Sequence, residues 1–386
     1  MWFRIANNQA KTKTARRNRR GVTKMHDKKG SDEEKTAAKP QSAVGKAVAS
    51  SMSFSKNLFG ALAQRMAPPK GESEIAFVLD ENSLRGRDII GIEELKKEEL
   101  MLILDVAAKL KANKFDETQT SFAKGQTLAM LFEKPSLRTR CTFEAGMTQL
   151  GGYAMNIEGK LGVREPVFDA AKNLERWVDG IMARTFEHAT VIELADNANI
   201  PVINGLSDRE HPCQALADFQ TILEHKEKLQ GLKVAFVGDG NNVANSLMLF
   251  AAKVGCDFYL ACPDGYTPPD DIVEAAKQEA ATSGATIVVT GDPQAAVKDA
   301  DAVYTDTWVS MGQEEETAAR EAIFAPYQVN AEMMKLARAD AIVMHCLPAH
   351  RGQEVTSEVL DGPQSVIYDQ AENRLHAQKA VLSLVL

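Results

Sequence analysis

The sequence predicts an α/β protein with two domains, each an open parallel sheet flanked by helices, and with a C-terminal helix that packs back on the first domain. Three observations predict this fold class. The chain has 386 residues, which is more than one hydrophobic core usually serves. From residue 75 onward, short apolar runs alternate with longer amphipathic stretches, as they do in β/α folds. The alternation falls into two series, so we expect two sheets.

The first series predicts a helix over residues 92–110 and then four short strands. The strands are apolar runs at residues 128–132, 154–157, 180–183 and 202–204. Stretches rich in helix-forming residues separate them and predict helices over residues 142–150, 167–177 and 187–198. We expect this first domain to span residues 73–208.

The second series follows a helical segment at residues 212–229. Its strands are predicted at residues 234–237, 258–261, 287–289, 302–305 and 342–344, and residues 369–386 read as a final helix. We expect a second domain over residues 209–360 and a C-terminal segment over residues 361–386. Because ligands of open parallel sheets bind at the carboxyl ends of strands, we expect chemistry in the loops that follow the strands.

Residues 1–72 are expected to form a disordered basic extension outside both domains. Residues 1–70 carry 16 Lys and Arg against 4 Asp and Glu, whereas the rest of the chain carries 29 against 49. Such a segment could bind nucleic acid, but its composition, with few large apolar residues, is also typical of plain disorder. Its acidic residues disfavour a mitochondrial presequence, which is acid-poor. A nucleic-acid partner is therefore not expected.

Composition excludes several classes of protein. Hydrophobic residues make up 44% and charged residues 25% of the chain, and no apolar run approaches the roughly 18 to 20 residues that a membrane span needs. The five cysteines are an odd number without a CxxC pair or a histidine cluster, which disfavours a disulfide framework and a structural zinc site. We therefore expect a cytoplasmic protein without membrane contact or bound metal.

The first candidate site lies at residues 132–140, where an apolar strand leads into a helix. Free N–H groups and the positive end of the helix dipole favour an anion there. Ser136 and Thr139 add hydroxyl donors, and Arg138 and Arg140 add guanidinium groups suited to phosphate. The alternative is an exposed basic helix start.

Two weaker clusters follow later strands of the first series. Arg184 comes directly after one strand, and His211 and Gln214 stand at the start of a helix. Alone, each side chain is typical of a surface ion pair or a local hydrogen bond. Together with a phosphate loop, they supply the donors that hold a phosphate and a neighbouring carbonyl oxygen.

A glycine-rich turn follows the first strand of the second series. Gly238 and Gly240 match the first two glycines of a dinucleotide-binding fingerprint, but Val243 occupies the third position. No acidic residue closes the next strand in a ribose-binding position, so we expect no nicotinamide cofactor. Asn241 and Asn242 could instead hydrogen-bond a small polar substrate.

Two further strand ends carry polar side chains. Asp306 and Ser310 offer a carboxylate and a hydroxyl, and Cys346 offers a thiol. A nucleophilic cysteine needs a positioned base, and the sequence does not show whether His345 or His350 can serve. A buried structural cysteine is the alternative.

From about residue 75 to the C-terminus, these motifs resemble the aspartate and ornithine carbamoyltransferase family. Residues 136–140 resemble the family's carbamoyl-phosphate loop, with Leu137 where Thr is frequent. The resemblance implies that carbamoyl phosphate is bound by this loop and by side chains from distant parts of the chain. The implied set is Ser136, Leu137, Arg138, Thr139, Arg140, Lys160, Arg184, His211, Gln214, Cys346, Leu347 and Arg374.

Residues 306–312 and 345–348 are similar to the ornithine branch of the family rather than to its aspartate branch. The resemblance therefore implies L-ornithine as the second substrate and a homotrimer with sites near the subunit interfaces. Lys160 departs from the ornithine branch, where Gln is usual, and we expect it to donate to phosphate across an interface. The residues implied to bind ornithine are Asn242, Asp306, Ser310 and Met311.

The implied reaction moves the carbamoyl group of carbamoyl phosphate to the δ-amine of L-ornithine and gives L-citrulline and phosphate, as in arginine biosynthesis. The attacking amine must be neutral, and because its free pKa lies near about 10.4, activity should rise toward alkaline pH. By resemblance, Thr139, Arg184 and His211 stabilise the tetrahedral oxyanion, while Asp306 and Cys346 orient the amine. No cofactor is implied.

Three alternatives remain at this point. An aspartate or putrescine carbamoyltransferase would differ in its acceptor, which a substrate panel decides. A nicotinamide-dependent dehydrogenase would bind its cofactor. A non-catalytic protein that recruits nucleic acid through residues 1–70 would lose that affinity when those residues are deleted.

Overall fold

The structure is a computed structural model that describes residues 84–114, 116–309 and 314–386. The predicted basic extension at residues 1–72 lies outside the described residues. So do Ser310 and Met311, two of the residues expected to bind ornithine.

The first sheet has four parallel strands in the order β2-β1-β3-β4. They are β1 (Thr127–Phe132), β2 (Tyr153–Glu158), β3 (Gly180–Arg184) and β4 (Val202–Leu206). The chain runs from β1 outward to β2 and then crosses to the other side of β1, so the strand order reverses between β1 and β3. Ligands of such sheets bind at this reversal, beyond the carboxyl ends of the two strands.

The second sheet has five parallel strands in the order β7-β6-β5-β8-β9. They are β5 (Lys233–Val237), β6 (Asp257–Ala261), β7 (Ile287–Thr290), β8 (Ala302–Thr305) and β9 (Ile342–His345). Here the order reverses between β5 and β8. The loop at Gly238 and the loop at Asp306 therefore begin side by side.

Helices cover both sheets. In the first series they are α1 (Lys97–Ala112), α2 (Leu137–Gln149), α3 (Val167–Leu174), α4 (His188–Asn197) and α5 (Pro212–Lys226). In the second they are α6 (Asn242–Val254), α7 (Asp270–Ser283), α8 (Pro293–Val297), α9 (Thr317–Phe324), α10 (Ala331–Met334), α11 (Ser357–Leu360) and α12 (Ile367–Val385). Within the described ranges, no helix combines the length and the apolar character that crossing a membrane requires.

One apolar core runs through both sheets. Alternate residues of β1, such as Leu128 and Met130, join side chains of β5 and of the long helices in this core, while Ala129 and Leu131 face α3 and α4 on the other side. The C-terminal helix α12 packs on α1, α2 and α5, as the sequence predicted. The predicted fold class, with two helix-flanked parallel sheets, is confirmed.

Several helix boundaries differ from the prediction. Helix α1 begins at Lys97 and not at residue 92, because residues 92–95 form a separate turn and Lys96 caps the helix, its N–H donating to the Glu99 side chain at 2.8 Å. Helix α2 begins at Leu137 and not at residue 142, because the Ser136 hydroxyl caps it. Helices α3 and α5 also end three residues earlier than predicted, at Leu174 and Lys226.

Candidate active site

The loop after β1 presents the start of α2 to the edge of the first sheet. The Ser136 hydroxyl accepts from the N–H of Thr139 at 3.3 Å and caps the helix. No acidic side chain lies in the first turn, so nothing there neutralises the positive end of the helix dipole. This end of α2 is suited to an anion.

Three guanidinium groups gather beside this helix start. Arg184 ends β3 and is 6% exposed, Arg374 projects from α12 and is 2% exposed, and Arg138 lies in the first turn of α2. Burial, followed by the charges of Arg374 and Arg138, lowers the pKa of Arg184 to about 10. In the described part of the chain, Nε of Arg184 and Nε of Arg374 are buried without a hydrogen-bond partner. Such a cluster is stabilised by an anion that carries more than one negative charge.

Arg374 is held by two of the predicted site residues. Its guanidinium donates to the Gln214 side-chain oxygen at 2.6 Å and to the Thr139 hydroxyl at 3.1 Å. The Gln214 amide nitrogen in turn donates to Asp218 at 2.8 Å. Gln214 therefore positions Arg374, and the second N–H of its amide can still donate to a ligand.

Asp218 anchors this arrangement, and sequence reasoning did not identify it. Its carboxylate is fully buried and also accepts from Gln370 at 2.7 Å and from the Tyr304 hydroxyl at 3.0 Å. Burial raises the pKa of Asp218 to about 7, although these hydrogen bonds oppose the change. The available signal was an aspartate inside the mostly apolar run of α5, one helical turn after Gln214.

His211 stands at the N-terminus of α5 among the three arginines. It is 4% exposed, and its Nδ1 has no hydrogen-bond partner in the part of the chain that the structure describes. Burial and then the charge of Arg374 hold the pKa of His211 well below its usual range. The imidazole is therefore neutral at pH 7, and one of its nitrogens can donate a hydrogen bond.

Lys134 is a second residue that the prediction left out. It precedes the Ser136 cap in the same loop, and burial, followed by the charge of Arg184, lowers its pKa to about 8. Its ammonium group lies 5.0 Å from the centre of the Phe186 ring. The sequence signal was its place between the strand end and the helix cap.

A carboxylate and thiol pair lies where β8 and β9 of the second sheet end. The Cys346 thiol donates to Asp306 Oδ1 at 2.9 Å, and the Asn241 amide donates to Asp306 Oδ2 at 2.8 Å. Burial, reinforced by the Asp306 charge, raises the pKa of Cys346 well above its usual range. Cys346 is therefore a thiol and not a thiolate, which argues against a nucleophilic role.

His345 does not serve Cys346 as a base. Its Nδ1 accepts from the N–H of Leu347 at 2.8 Å, and its Nε2 lies 3.1 Å from Glu354. Asp306, His345 and Cys346 are close enough together to hold a metal ion. Since both ring nitrogens of His345 are already engaged, these three residues are a poor metal site as they stand.

One contact joins the two sheets at this point. Arg138 donates to the carbonyl of Leu347, the residue that follows Cys346. The cationic cluster and the Asp306–Cys346 pair are therefore neighbours. Asn242 also links the two sheets, because its amide donates to the carbonyl of Ser207 after β4.

Three predicted residues lie outside this buried cluster. Leu137 is 75% exposed, and Lys160 is exposed in the loop after β2. Arg140 pairs with Glu144 at 3.0 Å and with Glu158 at 3.3 Å. Within one chain, the cluster forms without their side chains.

Comparison with known proteins assigns the two parts of the chain to one family. The family model described as the aspartate/ornithine carbamoyltransferase carbamoyl-P binding domain matches residues 87–224. The model described as the Asp/Orn binding domain of the same family matches residues 230–385. Together the two models match well over half of the chain.

Similar proteins and structures belong to the same family. An ornithine carbamoyltransferase of Thermococcus kodakarensis is 54% identical over 308 residues, which are 79% of this chain and 98% of that protein. The Pyrococcus furiosus protein named as an anabolic ornithine carbamoyltransferase is 51% identical over 307 residues, again 79% of this chain and 98% of the relative. A solved ornithine carbamoyltransferase structure from Pyrococcus furiosus matches with a TM-score of 0.77 and 51% identity, and the match covers 79% of this chain and 98% of that one. The resemblance expected from the motifs is confirmed, and the chain belongs to the aspartate/ornithine carbamoyltransferase family and is a carbamoyltransferase.

Proposed function

We propose that the chain transfers the carbamoyl group of carbamoyl phosphate to the δ-amine of L-ornithine, giving L-citrulline and phosphate, in arginine biosynthesis. The observation that carries the proposal is the position of a neutral His211 among Arg138, Arg184 and Arg374, next to the Asp306–Cys346 pair. The names of the relatives support ornithine as acceptor, and the word anabolic in one of them supports the biosynthetic direction.

The phosphate group binds at the start of α2. Main-chain N–H groups of the first turn, beginning at Leu137, face it together with Ser136 and Arg138. Arg184 supplies a guanidinium group whose Nε has no partner in the described residues. Arg140 and Lys160 act at the rim of the site, since both are exposed.

The carbamoyl oxygen lies against Thr139, Arg184 and His211. A neutral imidazole donates to this oxygen. Because it carries no charge, it does not compete with the arginines for the phosphate. Losing one preorganised donor of this kind typically raises the barrier by about 3 to 4 kcal/mol, because the donor acts where negative charge develops. The hydrogen bonds to Gln214 and Thr139 hold the Arg374 guanidinium in place, and its positive charge acts on the bound substrate from there.

The neutral δ-amine attacks the carbamoyl carbon and forms the new carbon–nitrogen bond. The bond from that carbon to the bridging phosphate oxygen breaks, and phosphate leaves with the electron pair. The amine gives up one proton, which the departing phosphate accepts. Most of the rate enhancement comes from holding the two substrates together in the correct geometry.

The acceptor lies on the side of the second sheet. Asp306 accepts from the amine, and the Cys346 thiol keeps the carboxylate oriented. Asn241 fixes the other carboxylate oxygen. Asn242 binds the amino-acid end of ornithine together with Ser310 and Met311, which lie outside the described residues.

We further propose the domain limits expected from the sequence. Residues 73–208 form the domain around the first sheet, residues 209–360 form the domain around the second sheet, and residues 361–386 bring α12 back to the first domain.

A homotrimer is supported by the apolar side chains that edge strand β2 exposes, among them Tyr153 at 64%. The loop that carries Lys160 is anchored beside the phosphate loop, because the next N–H donates to Glu133 at 2.9 Å. We place the enzyme in the cytoplasm.

An acceptor panel tests the substrate assignment. The purified chain is given carbamoyl phosphate with L-ornithine, N-acetylornithine, putrescine or aspartate at equal concentration, and the ureido product is measured. We expect efficient product formation with ornithine alone. Formation with another acceptor only would keep the phosphate half of the proposal and overturn the ornithine half.

A further inference from the structure

A buried carboxylate lies directly before His211 in the chain and is not used in the mechanism above. Glu210 is 1% exposed and sits between the turn before α1 and helix α6. Its Oε2 accepts from the N–H of Ile92 at 2.8 Å and from the Ser246 hydroxyl at 2.8 Å. Its Oε1 accepts from the N–H of Glu93 at 3.4 Å. One side chain therefore ties a segment beside the first sheet to a helix of the second.

This contact continues to His211 through Ser246. The Ser246 hydroxyl donates to Glu210 and accepts from the main-chain N–H of His211 at 2.9 Å. The Nδ1 atom of the His211 ring has no hydrogen-bond partner in the described residues. The position of the ring therefore depends on where the His211 backbone is held.

The fit around Glu210 is tight. A Cβ atom on Gly91 would lie 2.1 Å from Glu210 Oε1, so only glycine lets the turn approach the carboxylate this closely. Burial raises the pKa of Glu210 to about 7, while the bonds from Ile92, Ser246 and Glu93 oppose that change. Burial of a carboxylate costs free energy of folding. The contacts of Glu210 with Ile92 and Ser246 show which groups this carboxylate holds in place.

We propose that Glu210 is a positioning residue of the reaction: through Ser246 it fixes the backbone of His211, so that the imidazole points at the carbamoyl oxygen. The inference rests on the proposed role of His211. It adds a residue that no motif of the sequence indicated, because its contacts reach two segments that are distant in the chain.

Other charged groups provide a control. They lie at the same seam, which is the contact of the turn before α1 with helices α6 and α7 of the second sheet. Arg209 pairs with Glu93 at 3.0 Å and with Asp271 at 2.7 Å, so it also joins the two sides. Neither of these ion pairs includes the carboxylate of Glu210 or the N–H of His211. Loss of Arg209 loosens the seam without releasing His211.

The test compares turnover per folded molecule in two variants of Glu210. Glu210→Gln keeps an oxygen that accepts from Ile92 and Ser246, and we expect its kcat to stay within about threefold of wild type. Glu210→Leu removes both acceptors, and we expect kcat to fall about tenfold or more, since small misplacements of a reacting group are costly. The KM for carbamoyl phosphate should change by less than about threefold, because the phosphate donors are untouched.

A second variant tests the same link without changing the carboxylate. Gly91→Ala pushes Glu210 Oε1 aside and should reproduce most of the loss of kcat. In a Glu210→Ala background, Gly91→Ala should cost little more, because the side-chain atoms that it displaces are already absent. Arg209→Ala should keep kcat within about twofold.

These outcomes separate the inference from the proposed function. A wild-type chain that forms no citrulline overturns the proposed function, and the inference with it. A wild-type chain that is active while folded Glu210→Leu keeps its kcat overturns only the inference. An equal loss of kcat in Arg209→Ala would also overturn it, since general loosening of the seam would then explain the effect.

Discussion

The guanidinium of Arg374, in the last helix of the chain, donates to the hydroxyl of Thr139, in the first turn of α2, at 3.1 Å. The same group donates to Gln214 at 2.6 Å. Three distant segments therefore meet around one buried cation at the proposed phosphate end of the site. In the proposed site the C-terminal helix contributes a side chain and does not only cover the first sheet.

Replacing Arg374 by methionine should weaken carbamoyl-phosphate binding. A hydrogen bond to a charged group contributes about 1.5 to 3 kcal/mol, so we expect the KM for carbamoyl phosphate to rise about tenfold to a hundredfold. Steady-state kinetics at saturating ornithine measures this. Lys379→Met is the matched control: Lys379 lies in the same helix but donates to Gln119 and Gln149. That variant should melt at a lower temperature and keep its KM; an unchanged KM in Arg374→Met would remove Arg374 from the site.

Phosphate binding should take up a proton near pH 8. The pKa of Lys134 is lowered to about 8 in the free protein, so above that pH the side chain is mostly neutral. A bound dianion favours the charged form and raises this pKa, so affinity should fall as pH rises through 8. Calorimetry of phosphate binding at pH 8.5, in buffers with different ionisation enthalpies, measures the proton uptake.

The uptake should disappear in Lys134→Met. The pKa of Lys379 is also lowered to about 8, but Lys379 lies in the α12 contact with Gln119 and Gln149. Lys379→Met should therefore keep the uptake. If Lys134→Met takes up as many protons as wild type, another group titrates and the assignment is wrong.

Cys346 should react slowly with alkylating reagents. Burial and the neighbouring Asp306 keep it protonated, whereas Cys141 is exposed. In native protein at pH 8, iodoacetamide should modify Cys141 at least about tenfold faster than Cys346, since only thiolates react. Mass spectrometry of the digested protein gives the two rates. Asp306→Asn should speed modification of Cys346 by removing the charge that opposes ionisation; fast modification of Cys346 in the wild type would contradict the thiol assignment.

The exposed face of β2 should be an interface between subunits. Tyr153, Met155 and Ile157 project from the same side of this edge strand and are 39% to 64% exposed. Sedimentation velocity should give a trimer of the 42.1 kDa chain, and Met155→Glu should shift it toward monomers. Tyr368→Glu, at an exposed aromatic position at the start of α12, should leave the trimer intact. A wild-type monomer would overturn the proposed assembly.

The sequence was most informative where local pattern determines position. Apolar runs located all nine described strands, and the rule that ligands bind beyond strand ends led to Arg184 and to Asp306. The predicted phosphate loop and the start of α5 could be located because a strand or a loop leads directly into a helix. These features depend on neighbouring residues, which a sequence displays.

Contacts between distant segments could not be read in this way. Asp218 looks like an ordinary residue of an amphipathic helix, yet it is buried because Tyr304 and Gln370 reach it from the second sheet and from α12. Glu210 similarly looks like a loop residue until Ile92 is seen to donate to it. The turn at residues 92–95, which was predicted as the start of α1, is likewise held by Glu210, whose carboxylate accepts from the N–H groups of Ile92 and Glu93.

The central claim is tested most directly by carbon-13 NMR of the purified chain with ¹³C-labelled carbamoyl phosphate and L-ornithine. The label should appear in the ureido carbon of citrulline, in equal amount to the phosphate released, while folded Arg184→Ala should form no measurable citrulline. Phosphate release without labelled citrulline, or near-normal citrulline formation by Arg184→Ala, would contradict the account.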